Sequence, residues 1–273
     1  MVTVSTDLKA HRIRAVYRTS AIQPQQYGEA SVHDRQALIF DQKKVSTTRI
    51  GLIGAGGNSI TAWQLCRLGV GKIVICDRDT VELSNLNRQM FYPKDIYQNK
   101  AIMLGENLKK ESTGNTLIET YALNFQQVIQ RYPQAYKDID VALALVDNDL
   151  TRYDVSRYFL ENKIPVLICG VTKDCTSGYV FFQEPNSACF GCAFPEPSKD
   201  AHPCGRNPAA IYIHSIVTGI AVFAIAQTIF QKKKLSWHIY RIFLNGGDVI
   251  AANPPINPKC SICKGKQRKE VKK

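Results

Sequence analysis

The chain has 273 residues, of which 45% are hydrophobic and 21% are charged, with 17 Gly and 12 Pro. This composition is ordinary for a globular protein and excludes disorder, collagen-like repeats and low-complexity scaffolding over most of the length. The formal net charge of +12 is concentrated in residues 1–20, Lys232–Lys234 and residues 259–273, so the rest of the chain is balanced. Because a nucleic-acid-binding protein usually spreads positive charge over a folded face, we predict no nucleic-acid partner.

The start of the chain and its cysteines indicate a compartment. Met1 is followed by a mixture of valines and polar residues, with no apolar stretch of signal-peptide length. The chain has nine cysteines, an odd number, which in the absence of a signal favours reduced thiols and metal ligands over a disulfide framework. We therefore predict a cytoplasmic protein.

In chain order, residues 1–30 show no clear period and are predicted to form an N-terminal arm. Strands and helices then alternate, which is typical of an α/β, Rossmann-like fold with a mostly parallel sheet. The predicted strands are Arg49–Ile53, Lys72–Asp77, Leu117–Tyr121, Val141–Val146 and Pro165–Cys169, and the predicted helices are Ser59–Leu68, Lys100–Glu111 and Thr151–Asn162. Late strands at Tyr179–Phe182, Trp237–Leu244 and Asp248–Ala251 are expected to extend the sheet, antiparallel at its edge.

Residues 209–231 contain no charged side chain and are about long enough to cross a bilayer. His214, Ser215, Thr218 and Gln227 interrupt the segment, which lies between features that need an aqueous fold. We therefore predict a helix buried on most sides and no membrane partner.

A glycine-rich turn follows the first predicted strand and opens the first predicted helix. Gly54, Gly56 and Gly57 allow a tight turn and close approach of the backbone to a phosphate at the helix N-terminus. Asp77 lies at the end of the next strand, where a carboxylate can accept hydrogen bonds from a ribose. At this point NAD, ATP and a turn with no ligand all remain open.

The run that begins at Asp77, DRDTVELSNLNRQ, separates these alternatives. It resembles the ubiquitin-activating superfamily that includes ThiF and MoeB, which adenylate the C-terminal carboxylate of ubiquitin-like proteins. The resemblance extends from about Asp34 to Cys263. It implies an adenylation domain over residues 31–263, followed by a basic tail at 264–273, and it implies that ATP and Mg²⁺ are cofactors.

The resemblance also implies a nucleotide site. The three glycines would line the phosphates, Asp77 would hold the ribose, and Asp79 of the same run is included among the nucleotide-binding residues. The remaining ligands are implied at Asn85, Arg88, Lys100, Asp147 and Arg35.

In that site, Asn85, Arg88 and Lys100 would bind phosphate, and Asp147 would organise Mg²⁺. Arg35, in the motif HDRQ, would reach the ATP site of a neighbouring subunit, which makes the protein a homodimer. Several cations suit this chemistry because a carboxylate must approach the polyanionic triphosphate. Taken singly, each residue has an ordinary alternative: Arg35 as a surface cation, Lys100 as a solvated helix lysine and Asp147 as a helix N-cap.

Two CxxC pairs, Cys189 with Cys192 and Cys260 with Cys263, have the spacing of ligands that bind one tetrahedral ion. Two unrelated reduced pairs or a redox dithiol are the alternatives. A comparable four-cysteine site is found in members like ThiF and MoeB. We therefore predict a structural Zn²⁺ that fastens the C-terminal segment to the body of the domain.

Cys204 matches, by the same resemblance, a cysteine that accepts the activated carboxyl in some relatives. The residues after it depart from the usual glycine-rich stretch, so a nucleophile and a passive loop cysteine remain equal alternatives. The predicted function is ATP-dependent adenylation of a ubiquitin-like or sulfur-carrier protein. Adenylation of a peptide or a tRNA-linked carboxylate, and a non-catalytic partner of a ubiquitin-like protein, are the rival hypotheses.

Overall fold

A computed structural model describes residues 3–6, 12–21, 31–194 and 208–264. The described chain contains ten strands that form a single sheet. The strands are β1 (Thr3–Thr6), β2 (Arg12–Arg18), β3 (Arg49–Ile53), β4 (Lys72–Cys76), β5 (Leu117–Tyr121), β6 (Val141–Ala144), β7 (Val166–Val171), β8 (Ser177–Gln183), β9 (Ile239–Phe243) and β10 (Asp248–Ala252). Their spatial order is β1-β2-β5-β4-β3-β6-β7-β8-β9-β10.

The sheet is mixed rather than mostly parallel. Its central strands β5, β4, β3, β6 and β7 are parallel, whereas β1, β2, β8, β9 and β10 join through antiparallel pairs. The parallel centre is covered by helices on both faces, and its residues are buried except at the strand ends, as expected for a parallel sheet. The late strands extend the sheet as predicted, but β1 and β2 extend its other edge from residues for which we predicted no strand.

The helices that cover the sheet begin with α1 (Asp34–Ala37), α2 (Gln42–Thr47), α3 (Asn58–Leu68) and α4 (Lys100–Glu111). They continue with α5 (Phe125–Arg131), α6 (Asp149–Glu161), α7 (Phe190–Ala193) and α8 (Ile211–Ile225), and a π-helical turn prolongs α8 through Ala226–Phe230. Buried side chains of α3, α4 and α8 share one core cluster, and those of α5, α6 and α7 share the other. The sheet therefore lies between two helical layers.

The segment Ile211–Phe230 is the one described helix that is long and apolar enough to cross a membrane, with a mean hydropathy of 1.8. It packs on β7, β8 and α3, and 44% of its apolar 18-residue window is buried. The predicted burial holds for the face that carries Ile213, Val217 and Ala221. The opposite face, with Ile216 and Phe223, is exposed, so the helix is buried on one side only.

Candidate active site

The glycine-rich turn lies between β3 and α3, at the carboxyl edge of the parallel strands. Gly54 has a φ of +87°, a left-handed conformation that disfavours side chains. Its amide donates to the carbonyl of Cys76, at the end of β4, at 2.9 Å. Gly57 is the N-cap of α3 and has no side chain to bond the free amides there. The first turn of α3 thus presents main-chain N–H groups to an anion.

Two side chains that the sequence analysis did not single out cover this turn. A Cβ on Gly56 would lie 3.2 Å from the Nε2 of Gln89, and a Cβ on Gly57 would overlap the side chain of Leu145. Only glycine fits at Gly57 because Leu145 occupies the space of a side chain. Gln89 falls inside the motif run, whereas Leu145 follows a buried strand and has no recognisable signal.

Asp77 ties the turn to the end of β4. Its carboxylate accepts hydrogen bonds from the amides of Ala55, at 2.7 Å, and Asp79, at 2.8 Å. Burial raises the pKa of this carboxyl, and the two backbone hydrogen bonds and nearby Lys100 partly offset the rise. Each carboxylate oxygen has a further lone pair, so Asp77 can also accept a ribose hydroxyl.

Lys100 is held next to Asp77 by the start of α4. Asn99 caps this helix through the amide of Ile102, at 3.1 Å, and its side-chain amide donates to the carbonyl of Asp77, at 2.9 Å. The Lys100 ammonium lies 3.5 Å from the Oδ2 of Asp79, and its side chain is only 13% exposed. An open cleft of about 490 Å³ runs between these groups and is lined by Arg78, Asp79, Thr80, Glu82 and Lys100.

Asn85 and Arg88 lie on the loop after β4. Asn85 is buried in a 3₁₀ turn, Leu83–Asn85, where its Oδ1 accepts from the amide of Glu82 at 3.0 Å. Among the residues that the structure describes, none accepts from the Nδ2 donor of Asn85, which can therefore bind a ligand. The Arg88 guanidinium donates to the carbonyl of Ser84 at 2.6 Å and to the Oδ1 of Asn87 at 2.9 Å. To bind a phosphate, Arg88 must add to or exchange these local partners.

Asp147 follows β6, the strand next to β3. It is exposed, and the N-cap of α6 is Asn148, whose side chain accepts from the amide of Thr151 at 3.1 Å. The alternative that Asp147 itself caps the helix is therefore wrong. Within the part of the chain that the structure describes, its carboxylate makes no hydrogen bond or ion pair, and an exposed carboxylate of this kind is a ligand that Mg²⁺ accepts.

Arg35 is not brought together with the other candidate residues of its own chain. Its helix docks at the far end of α3, where the side chain of Gln36 donates to the carbonyl of Leu68 at 2.8 Å. α3 has 11 residues and therefore separates this point from Gly57 by about 16 Å. Arg35 is exposed, and its position suggests no role in the nucleotide site of its own chain.

Cys204 lies outside the described residues, so its predicted role stays a prediction. The described chain stops at Phe194 and resumes at Pro208, three residues before α8. The first turn of α8 reaches the glycine-rich turn, because the Cδ2 atom of His214 lies 3.4 Å from the Cβ position of Gly57. The sequence analysis noted this histidine only as a polar interruption of the apolar segment.

The four predicted metal ligands come together. The sulfur atoms of Cys189, Cys192, Cys260 and Cys263 all lie within 4.8 Å of one another. Three of the pairs are 3.4, 3.5 and 3.7 Å apart, close to the roughly 3.8 Å between sulfurs in a tetrahedral zinc–thiolate shell. Four thiols complete a tetrahedral shell, which suits a structural zinc ion, and the cluster joins the loop after β8 to the segment after β10.

Comparisons with known proteins agree with this arrangement. The family model described as "ThiF family" matches residues 23–262. The chain belongs to the ThiF family. This membership accounts for the glycine-rich turn, the run after Asp77 and the order in which they occur along the sheet.

Among curated ThiF-related proteins, "Ubiquitin-like modifier-activating enzyme 5" of Drosophila mojavensis is 26% identical over 202 residues, covering 70% of this chain and 50% of that protein. The protein of the same name from Rattus norvegicus is 29% identical over 181 residues, covering 62% of this chain and 45% of that protein. The chain thus spans about half the length of the curated relatives it matches.

Among solved structures, E. coli MccB with ATP superimposes with a TM-score of 0.72 at 18% identity, covering 86% of this chain and 75% of that one. PaaA superimposes with a TM-score of 0.69 at 18% identity, covering 87% of this chain and 76% of that one. At this level of identity the superpositions establish the shared fold.

Proposed function

We propose that this protein is an ATP-dependent adenylyltransferase that activates the C-terminal carboxylate of a ubiquitin-like or sulfur-carrier protein. One observation carries the proposal: Asp77 binds the glycine-rich turn through the amide of Ala55, and nearby Lys100 lines an open cleft together with Asp79. The names of the curated relatives and the ATP bound to MccB support it.

In this reaction, a carboxylate oxygen of the carrier attacks the α-phosphorus of ATP. The bond from that phosphorus to the bridging oxygen breaks, and pyrophosphate leaves with the electron pair. No proton must be removed from the carboxylate, so the site needs no general base. Charge accumulates on pyrophosphate, and fixed cations and amides stabilise it.

Different residues of this chain bind the phosphates, the ribose and the metal ion. The amides of the first turn of α3 and the side chains of Asn85, Arg88 and Lys100 bind the phosphates, and Asp77 holds the ribose. Asp147 is the residue that would hold Mg²⁺, which supplies further charge neutralisation when bound. Asp79, at the rim of the cleft, keeps the ammonium group of Lys100 oriented.

The homodimer is part of the same proposal. The helix that carries Arg35 docks at Leu68, about 16 Å along α3 from the phosphate turn of its own chain, so Arg35 fits the cleft only as a residue of a second subunit. The exposed apolar side chains of Leu38, Ile39, Ile216 and Phe223 support a protein interface on this side of the molecule. Phe40 and Phe230, whose ring centroids are 5.7 Å apart, join the two exposed segments.

ATP–pyrophosphate exchange tests the proposal directly. We expect exchange that requires Mg²⁺ and a small protein ending in Gly-Gly, and no exchange with the same protein truncated by its last residue. Exchange stimulated by a free peptide, or tRNA-dependent exchange, supports a rival acceptor. Nucleotide binding without any exchange supports a non-catalytic partner. Cys204→Ala should retain exchange, because transfer to a thiol follows adenylation.

A mixing experiment tests the dimer. Arg35→Ala and Arg88→Ala damage different halves of a shared site, so each variant alone should be inactive. Equal mixing after subunit exchange should restore about a quarter of the wild-type activity, since half of the dimers contain one intact site of two. No recovery, with dimers confirmed by light scattering, contradicts the role of Arg35 across the interface.

A further inference from the structure

His214 stands at the phosphate turn although no motif marks it. It lies in the first turn of α8, and its Cδ2 atom is 3.4 Å from the position that a Cβ of Gly57 would take. α3 and α8 pack side by side, so both helices begin at the same edge of the sheet. The imidazole ring is therefore beside the amides that would receive the phosphates.

The hydrogen bonds of His214 define which nitrogen carries its proton. The Nδ1 atom lies 2.9 Å from the carbonyl oxygen of Ala210. A carbonyl can only accept, so Nδ1 must donate. The Nε2 atom is bonded to Cδ2, the atom nearest the turn, and makes no hydrogen bond to any residue that the structure describes.

The charges around His214 keep it neutral when no ligand is bound. α8 carries no Asp, Glu, Lys or Arg, and α3 carries only Arg67, in its last turn. Asp147 follows Leu145, which also covers the turn, by two residues. Burial and the nearby Arg88 guanidinium lower the pKa of His214, so its Nε2 is unprotonated at neutral pH.

We infer that His214 is a ligand of the nucleotide phosphates that binds them in its protonated form, so that nucleotide binding takes up a proton. The inference rests on the proposed function and adds a residue to its site. A phosphate at the turn reverses the electrostatic environment that Arg88 creates, and favours an N–H at Nε2 that donates to a phosphate oxygen. This bond needs Nε2, which is the ring nitrogen that has no hydrogen-bond partner among the described residues.

Linkage gives the direction of the effect. A group that gains a proton on binding strengthens binding as the pH falls below its bound-state pKa. If phosphate raises the pKa of His214 by one unit, binding below both pKa values is about tenfold tighter than above them. Ionisation of the nucleotide itself also changes with pH, so a variant without the imidazole must provide the baseline.

The first experiment is a titration of ¹³C-histidine-labelled protein by NMR, without and with a saturating non-hydrolysable ATP analogue and Mg²⁺. The His214 signal is assigned by its loss in His214→Gln. We expect its pKa to rise on nucleotide binding. An unchanged pKa in protein that does bind nucleotide overturns this inference and leaves the proposed function standing. Failure of the wild type to bind nucleotide overturns both.

The second experiment is calorimetry at neutral pH in buffers of different ionisation enthalpy, which counts the protons taken up on binding. We expect the wild type to take up more protons than His214→Gln. His238→Gln removes a histidine at the other end of the sheet and is the matched control, so its proton uptake should equal that of the wild type. Equal uptake by all three proteins contradicts the role of His214.

Discussion

The nucleotide cleft and the four-cysteine cluster are built in opposite ways. In the cleft, three of the candidate ligands already have partners: Asp77 accepts two backbone amides, Lys100 is paired with Asp79, and Arg88 donates to Ser84 and Asn87. In the cluster, the four sulfurs face one another. The cleft therefore keeps its arrangement without a ligand, whereas the cluster depends on an ion to hold four sulfur atoms so close together.

The largest effect should follow removal of the metal. We expect Cys192→Ser, or a strong chelator, to abolish zinc binding and to destabilise the protein by several kcal/mol, because metal-binding energy contributes directly to folding. Zinc content by atomic emission and the thermal unfolding midpoint measure the two effects. Cys175→Ala, a buried cysteine outside the cluster, is the control and should retain one zinc per chain. If the protein loses all of its zinc and keeps its wild-type unfolding midpoint, the cluster does not depend on an ion, and the contrast with the cleft is wrong.

The next-largest effect should be a loss of activity, with little change in stability. Arg88→Ala and Asp147→Ala should each lower ATP–pyrophosphate exchange by about 10²–10³-fold, since each removes a group that stabilises charge in the transition state. Their unfolding midpoints should stay near the wild-type value because both side chains lie at the rim of the fold. Arg78→Ala, an exposed cation beside the same cleft, is the matched control. Wild-type rates of ATP–pyrophosphate exchange in both variants would contradict the proposed function.

A smaller effect is expected at the turn itself. Gly57→Ala should cost about 1–3 kcal/mol of stability and weaken nucleotide binding, because the new Cβ overlaps Leu145. Leu145→Ala should relieve the overlap, so the double variant should lose less than the sum of the single changes. Gly219→Ala, in α8 with open space around it, should instead stabilise the protein slightly. Strictly additive losses at Gly57 and Leu145 would show that the two do not compete for space.

The smallest effect concerns pH. His238 lies between the Oε2 of Glu184, at 3.1 Å, and the Oδ1 of Asn253, at 2.7 Å, and these acceptors raise its pKa. A raised pKa stabilises the fold below the unfolded-state pKa, and that contribution is lost as the pH rises through the folded-state pKa. Because the pair is partly exposed, the contribution should be below about 1 kcal/mol. Denaturant midpoints from pH 5 to 9 should fall toward alkaline pH in the wild type and stay flatter in His238→Gln.

Local signals in the sequence predict the centre of the molecule well. α3, α4, β3 and β5 occur within a residue of their predicted bounds, since each combines a strong pattern with a clear start or stop such as Gly57, Asn99 or Gly69. β2 was missed although Ala15 and Tyr17 are buried at alternate positions. The arginines on either side of this stretch hid the short alternation, and one of them, Arg14, pairs with Glu119 across the sheet.

By itself, the sequence determined the α/β class, the glycine-rich turn, the charged residues after β4 and the two cysteine pairs, because each depends on residues close together in the chain. Only the tertiary structure decided that the cysteines, 71 positions apart, share one site, that Arg35 lies at the far end of α3 from the phosphate turn, and that His214 stands beside Gly57. Those relations depend on how the strands order themselves in the sheet and on which helices pack together, and no local pattern encodes them.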